Sequence, residues 1–167
     1  MKCKTTLLAL SSFAFFSLVI ISCKKSNSSN NGGTSMTATV NGTAWTNNYP
    51  TIGVYAETGG VGQFEFAGLS FKNGDSTELG ISFSSPFILG KAISSYTAFV
   101  EATYTDSKTG NIYDGGLLGG HAIVTVSSWD STTHELSATF SGVLYNEFNS
   151  NDSVTVTSAS FSSGYTE

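Results

Sequence analysis

Few side chains in this chain of 167 residues are equipped for chemistry: two histidines (His121, His134), two cysteines (Cys3, Cys23) and twelve carboxylates. A zinc-type site needs three or four of these groups brought together. If 120–128 and 134–145 form a hairpin with Trp129 facing His134, His121 lies opposite about residue 142. Eight residues at ~3.3 Å each then hold the histidines about 26 Å apart. They are expected as separate surface or strand-end residues, with no metal and no cofactor implied.

Serine-type catalysis needs an exposed hydroxyl beside a base, cued locally by a G-x-S-x-G elbow. That pattern is absent, and the 48 Ser and Thr residues make single hydroxyls uninformative. DGGLLGGH, residues 114–121, is glycine-rich enough to suggest an anion cradle. Neither a GK[ST] nor a helical pattern follows it, so a loop entering a strand is the expected reading. Glycosidases work with two carboxylates roughly 5 to 10 Å apart. Glu65, Glu78 and Glu101 fall in or beside predicted strands, but without a register no two can be brought together, and edge-strand charges explain them more simply.

Two acidic turns have ligand types that suit calcium, DSKTGNIYD (Asp106, Asn111, Asp114) and NEFNSND (Glu147, Asn149, Asp152), although neither has EF-hand spacing. Three aromatics near turns, Trp45, Tyr113 and Trp129, are candidates to stack on a sugar or fill a partner's pocket. The competing expectation is that such residues plug the ends of a core.

The elements that must position these groups have period two. Met36, Ala38 and Val40 share one face of MTATVN; Leu79, Ile81 and Phe83 share one face of LGISFS; Leu136, Ala138, Phe140 and Leu144 share one face of ELSATFSGVL. Strands are predicted near 36–41, 51–56, 62–71, 77–84, 96–105, 120–128, 134–145 and 153–162, separated by turns rich in Gly, Asn, Asp and Ser. In QFEFAGLSF the apolar phase switches from Phe64 and Phe66 to Leu69 and Phe71, which predicts a β-bulge at Ala67–Gly68. PFILGKAISSY has room for one helical turn. Eight or nine short antiparallel strands make an all-β sandwich, with a closed, lipocalin-like barrel as the alternative.

The first residues have another logic. Lys2 and Lys4 precede an uncharged apolar stretch from Leu7 to Ile21, a secretory layout. At 15 residues this stretch is shorter than the ~20 that a spanning helix requires. It runs through Ile20, Ile21 and Ser22 into Cys23, and so resembles the bacterial lipobox. That resemblance implies cleavage between Ser22 and Cys23, a diacylglycerol on the Cys23 thiol and acylation of the new amino group. At ~0.8 kcal/mol per buried methylene, two or more chains hold a protein on a membrane stably. KKSNSSNNGGTS, residues 24–35, is expected as a flexible tether reaching about 20 Å. Lys24 and Lys25 suit anionic headgroups.

The mature chain from Cys23 keeps five lysines and no arginine against twelve carboxylates, a formal charge of −7. Nucleic acid is an unsuitable partner for it, because phosphate neutralisation needs clustered cations. Residues 36–167, the expected single domain, hold no cysteine. Disulfides and thiol chemistry are thereby excluded there.

ATVNGTAW, then the alternating strand ending near Phe71, then GHAIVTVSSWDSTTHELSATFSGVLYN and DSVTVTSASF together resemble a family of uncharacterised envelope lipoproteins of Bacteroidota-type bacteria. Asp130 matches that family's turn aspartate, Ser137–Phe140 its “sGtF”, and Ser160–Phe161 its “GxF”; Ala138 and Ser160 stand where glycines are usual. The resemblance implies an all-β lipoprotein of the outer membrane without an established activity, and it transfers no catalytic residue. The acidic residues that favour surface display are missing after Cys23, so the face is left open. The expectation is a lipid-anchored, non-catalytic binding or structural module meeting a glycan or an envelope protein. The rival is an envelope glycan hydrolase using paired strand carboxylates.

Overall fold

The computed structural model describes residues 35–116 and 119–167. Ser22, Cys23 and the lysine-led segment after them lie outside these residues, as do Leu117 and Leu118 of the glycine-rich loop. The described chain is all-β, with eleven strands: β1 Ser35–Val40, β2 Thr43–Thr46, β3 Ile52–Thr58, β4 Val61–Lys72, β5 Asp75–Ser84, β6 Ala92–Ser94, β7 Val100–Asp106, β8 Asn111–Asp114, β9 His121–Asp130, β10 Glu135–Asn146 and β11 Asn149–Gly164.

All eight predicted strands are present, and three more, β2, β6 and β8, exceed the expected eight or nine. At three or four residues each, they are too short for alternation to register in the sequence. The segment given room for a helical turn instead forms a loop, strand β6 and a tight turn in which the Thr97 and Ala98 amides donate to Ser94 O.

Three hairpins close on two-residue turns with both residues at positive φ: Asn41–Gly42 (48°, 77°), Gly59–Gly60 (63°, 80°) and Asn73–Gly74 (57°, 89°). This is the type I′ geometry, whose twist matches that of the flanking strands, and Asn-Gly adopts it most readily. VNGT thus becomes the β1–β2 turn, and Asn41 also fixes it to β11 by exchanging backbone and side-chain hydrogen bonds with Thr155 at 2.9 and 2.8 Å.

The sheet runs β2-β1-β11-β10-β8-β7-β5-β4-β3, with β6 and β9 branching from β10. The sheet is open, not the closed barrel of the alternative, and it folds over on itself as a sandwich. One layer holds β3, β4, β5, β7 and β8; the other holds β2, β1, β11, β10, β9 and β6. Strand β10 is shared: residues 135–143 pair with β9, whereas Tyr145 and Asn146 pair with β8. Between the layers lie Phe64, Phe66, Leu79, Ile81 and Phe83 from one side and Met36, Val124, Val126, Leu136 and Val156 from the other, all buried. The Phe66 and Phe161 rings meet across the interior at 4.5 Å. Burying each such side chain stabilises the fold by about 1.5–3 kcal/mol.

Two expected registers are corrected. No bulge interrupts β4, whose pairing with β5 runs without a shift from Gln63↔Ser84 to Lys72↔Asp75. Gly68 holds an inward position, because a Cβ there would stand 3.1 Å from Met36 Cβ and 3.2 Å from the Trp45 ring. An inward glycine has no apolar signature, so the true phase is hidden and Leu69 and Phe71 fall on the outer face. In the β9–β10 hairpin Trp129 faces Leu136, not His134, since His134 lies in the turn at φ 55°. His121 accordingly faces Val143.

The last residues complete the edge of the first layer. The Tyr55 amide donates to Thr166 O at 2.8 Å and the Thr166 amide to Gly53 O at 3.0 Å, a parallel bridge on β3.

Candidate functional site

Two of the three aromatics singled out from sequence meet at one place. Trp45 on β2 and Tyr113 on β8 line a cleft of about 360 Å³ with Val40, Asn41, Thr43, Ala44, Tyr104, Asp106 and Val154. The cleft opens where the β1–β2 and β7–β8 hairpins lie across from each other. Ligand sites commonly have this character: a concave surface of apolar and aromatic groups with a few placed polar ones.

Each aromatic is held in place. The Trp45 indole N–H donates to Thr77 Oγ1 at 2.8 Å across the layers. Tyr104 also hydrogen-bonds Thr77, and burial together with the nearby Asp106 carboxylate raises its phenol pKa. Tyr104 and Tyr113 are cross-strand partners with ring centroids 6.1 Å apart. The Tyr113 hydroxyl donates to Asp152 Oδ2 at 3.0 Å and accepts from Asn111 Nδ2 at 3.1 Å; Asn146 Nδ2 reaches the same Asp152 oxygen at 2.9 Å. The phenol is anchored at its tip; its ring and that of Trp45 belong to the buried core, 7% and 8% exposed, and meet the cleft only as its wall. Tyr104, which sequence reasoning missed, could have been found only from its pairing with Tyr113.

Trp129 is elsewhere. Its ring packs on Phe87 at 5.4 Å and on Phe64 at 5.9 Å, and its N–H donates to the Tyr165 hydroxyl at 2.8 Å.

The carboxylates occupy the outer face of the first layer. Register aligns Val54, Glu65, Ser82 and Glu101 in one row across β3, β4, β5 and β7. Two strand spacings, about 9.6 Å, therefore separate the Glu65 and Glu101 backbones. Asp114 shares the face, since alternation sends Tyr113 inward and Asp114 outward. Glu101 and Asp114 are both buried, and a hydrogen bond joins their carboxyls. Burial, that hydrogen bond and the Asp114 charge push the Glu101 pKa up to about 8, with smaller contributions from Glu65 and Glu147. Glu78 is raised by burial and by Glu65, and Glu65 by burial. Two adjacent carboxyls sharing a proton is the usual response when both cannot ionise. Gly116 packs on the pair: its amide donates to Asp114 Oδ1 at 2.8 Å, and a Cβ there would stand 2.8 Å from Val100 O.

Among the described residues no three His, Cys, Asp or Glu side chains are grouped to hold a metal ion. His121 stacks on Tyr96 at 5.7 Å, and His134 lies 3.5 Å from Glu167. Side chains of the two acidic turns are already engaged: Asp106 Oδ1 accepts from the Lys108 amide at 2.9 Å and Asn149 Oδ1 from the Asn151 amide at 3.2 Å, while Asp114 and Asp152 bond Glu101 and Tyr113.

No family model, curated protein or solved structure matches the chain.

Proposed function

We propose that this is a lipid-anchored envelope protein whose β-sandwich is a non-catalytic binding module, and that its ligand enters the Trp45–Tyr104–Tyr113 cleft. One observation carries the reading: three aromatic side chains from separate strands converge on a single concavity and are each fixed by a hydrogen bond or a partner ring. Aromatic walls with Asn41, Thr43 and Asp106 beside them suit the alternating apolar faces and hydroxyls of a sugar. A glycan is therefore favoured over a flat protein surface. The Cys23 anchor and the outer-membrane setting rest on the lipobox and on the resemblance to Bacteroidota-type lipoproteins.

The test is a glycan array followed by titration of a hit, reading tryptophan fluorescence in a Trp129→Phe background so that Trp45 alone reports. Tyr104→Ala should weaken binding by tenfold or more, with an unchanged far-ultraviolet circular dichroism spectrum showing that the variant is folded at the assay temperature. Unchanged affinity in this variant removes the cleft from the proposal.

The row joining Glu65 to Glu101 favours the second reading, a glycan hydrolase, because it sets two carboxylates on one face two strands apart, the kind of facing pair that glycosidases use. Against it, the Glu101 carboxyl is buried and committed to Asp114 by a hydrogen bond. Glycan hydrolysis abolished by both Glu65→Gln and Glu101→Gln would establish that second reading.

A further inference from the structure

The loop between β5 and β6 presents two large aliphatic side chains to water although it is firmly built. Phe87 roots it in the core, packing on Phe64, Phe83 and Trp129 at 5.8, 5.9 and 5.4 Å. The Gly90 amide donates to Val126 O at 2.8 Å and the Lys91 amide to Ile88 O at 3.0 Å, closing a turn. Ile88 and Leu89 project from that turn, 65% and 53% exposed. Val61, half exposed, joins them, because its neighbour Gly62 exchanges hydrogen bonds with Ser85: Gly62 N–H to Ser85 Oγ at 3.0 Å, and Ser85 N–H to Gly62 O at 2.7 Å.

The register shows which end of the sandwich this is. Ser35, where β1 begins, pairs with Ser162; the next residue, Ser163, pairs with Leu136; Leu136 pairs with Trp129, on which Phe87 packs. The chain thus enters the fold at the end that carries Ile88, Leu89 and Val61. The Asn41–Gly42 turn, Asp106 and the cleft lie at the opposite end. Residues 24–34 separate Cys23 from β1, and eleven residues can span at most ~36 Å of chain. Three strand spacings of ~4.8 Å separate β1 from β9, beside which the loop lies, so such a reach covers the distance.

We infer that Ile88 and Leu89, with Val61, form an apolar foot that rests in the interface of the phospholipid bilayer to which Cys23 is anchored, turning the cleft away from the membrane. The inference rests on the lipid-anchor reading of Cys23. Glu57, Asp130, Glu135 and Glu167 are exposed toward the same end, with Lys91 the nearby cation. The contact is therefore apolar, suited to zwitterionic lipid and indifferent to salt.

The experiment uses the full chain, processed as a lipoprotein and reconstituted into vesicles of phosphatidylethanolamine and phosphatidylcholine. An environment-sensitive fluorophore is placed on Leu89→Cys or, as a control in the β10–β11 turn, on Phe148→Cys. Iodide should quench the label at 89 at least threefold less than the label at 148, at low and high salt alike, and Ile88→Asp should restore quenching at 89 without altering the near-ultraviolet circular dichroism. Equal quenching at both positions with an acylated Cys23 peptide by mass spectrometry overturns this inference alone. An unacylated Cys23 overturns the anchor reading and this inference together. Shielding at 89 that follows protein density instead of lipid assigns the loop to a second copy of the chain and likewise overturns it.

Discussion

At the Glu101–Asp114 pair, single residues tie stability to pH. A carboxyl whose pKa is raised on folding holds its proton in the native state and gives it up in the unfolded chain. The stability it contributes is complete below the unfolded value of ~4.3 and is lost as pH rises toward the folded value of about 8. Glu65, Glu78 and Glu147 are raised too and act in the same direction. Thermal melts should therefore fall between pH 5 and pH 8. Glu101→Gln, which keeps a donor for Asp114 without a titrating proton, should flatten that slope and gain on the order of 1–2 kcal/mol at pH 8. A wild-type slope persisting in the variant counts against the shared proton. Gly53 is a second sensitive position, because a Cβ there would meet Gly164 O and the Phe66 ring at once. Gly53→Ala should cost about 1–3 kcal/mol by chemical denaturation.

At the scale of elements, the C-terminal residues cover an edge that would otherwise invite other strands. Strand β3 exposes Ile52 and Val54 on its outer face, and its free backbone groups are taken at Gly53 and Tyr55 by Thr166. Tyr165, buried beside them, packs on Phe64 at 5.4 Å. Truncation after Gly164 should cost about 3 kcal/mol from lost packing and should promote concentration-dependent association, read by light scattering. Long strands with one wet face were legible in the sequence because burial and alternation coincide, as in ELSATFSGVL. The tail bridge was not, since its pairing is long-range and backbone-mediated. Nor was β8: its four residues hold Tyr113 and Asp114, which belong to opposite faces and to different clusters. Trp45 and Tyr113 were visible as candidates, yet their meeting depends on a β1–β11 pairing that no local pattern encodes. Glu101 stands out in sequence as a strand carboxylate, whereas the residues around Asp114 have the pattern of an acidic turn.

For the whole molecule, the proposed lipid anchor is what a single substitution tests most directly. Cys23→Ser should abolish labelling by a radioactive fatty acid and shift the protein from the membrane to the soluble envelope fraction; unchanged labelling would refute the lipid anchor. The order of the sheet has a separate kinetic consequence. Strand β1 lies between β2 and β11, so the first strand of the domain waits for the last before its ladder is complete. Contacts this distant in sequence slow folding, because chain entropy is lost before the pairing compensates for it. A nascent chain emerging from its amino end therefore holds an incomplete sheet, with β1 lacking one neighbour, until its final strand arrives.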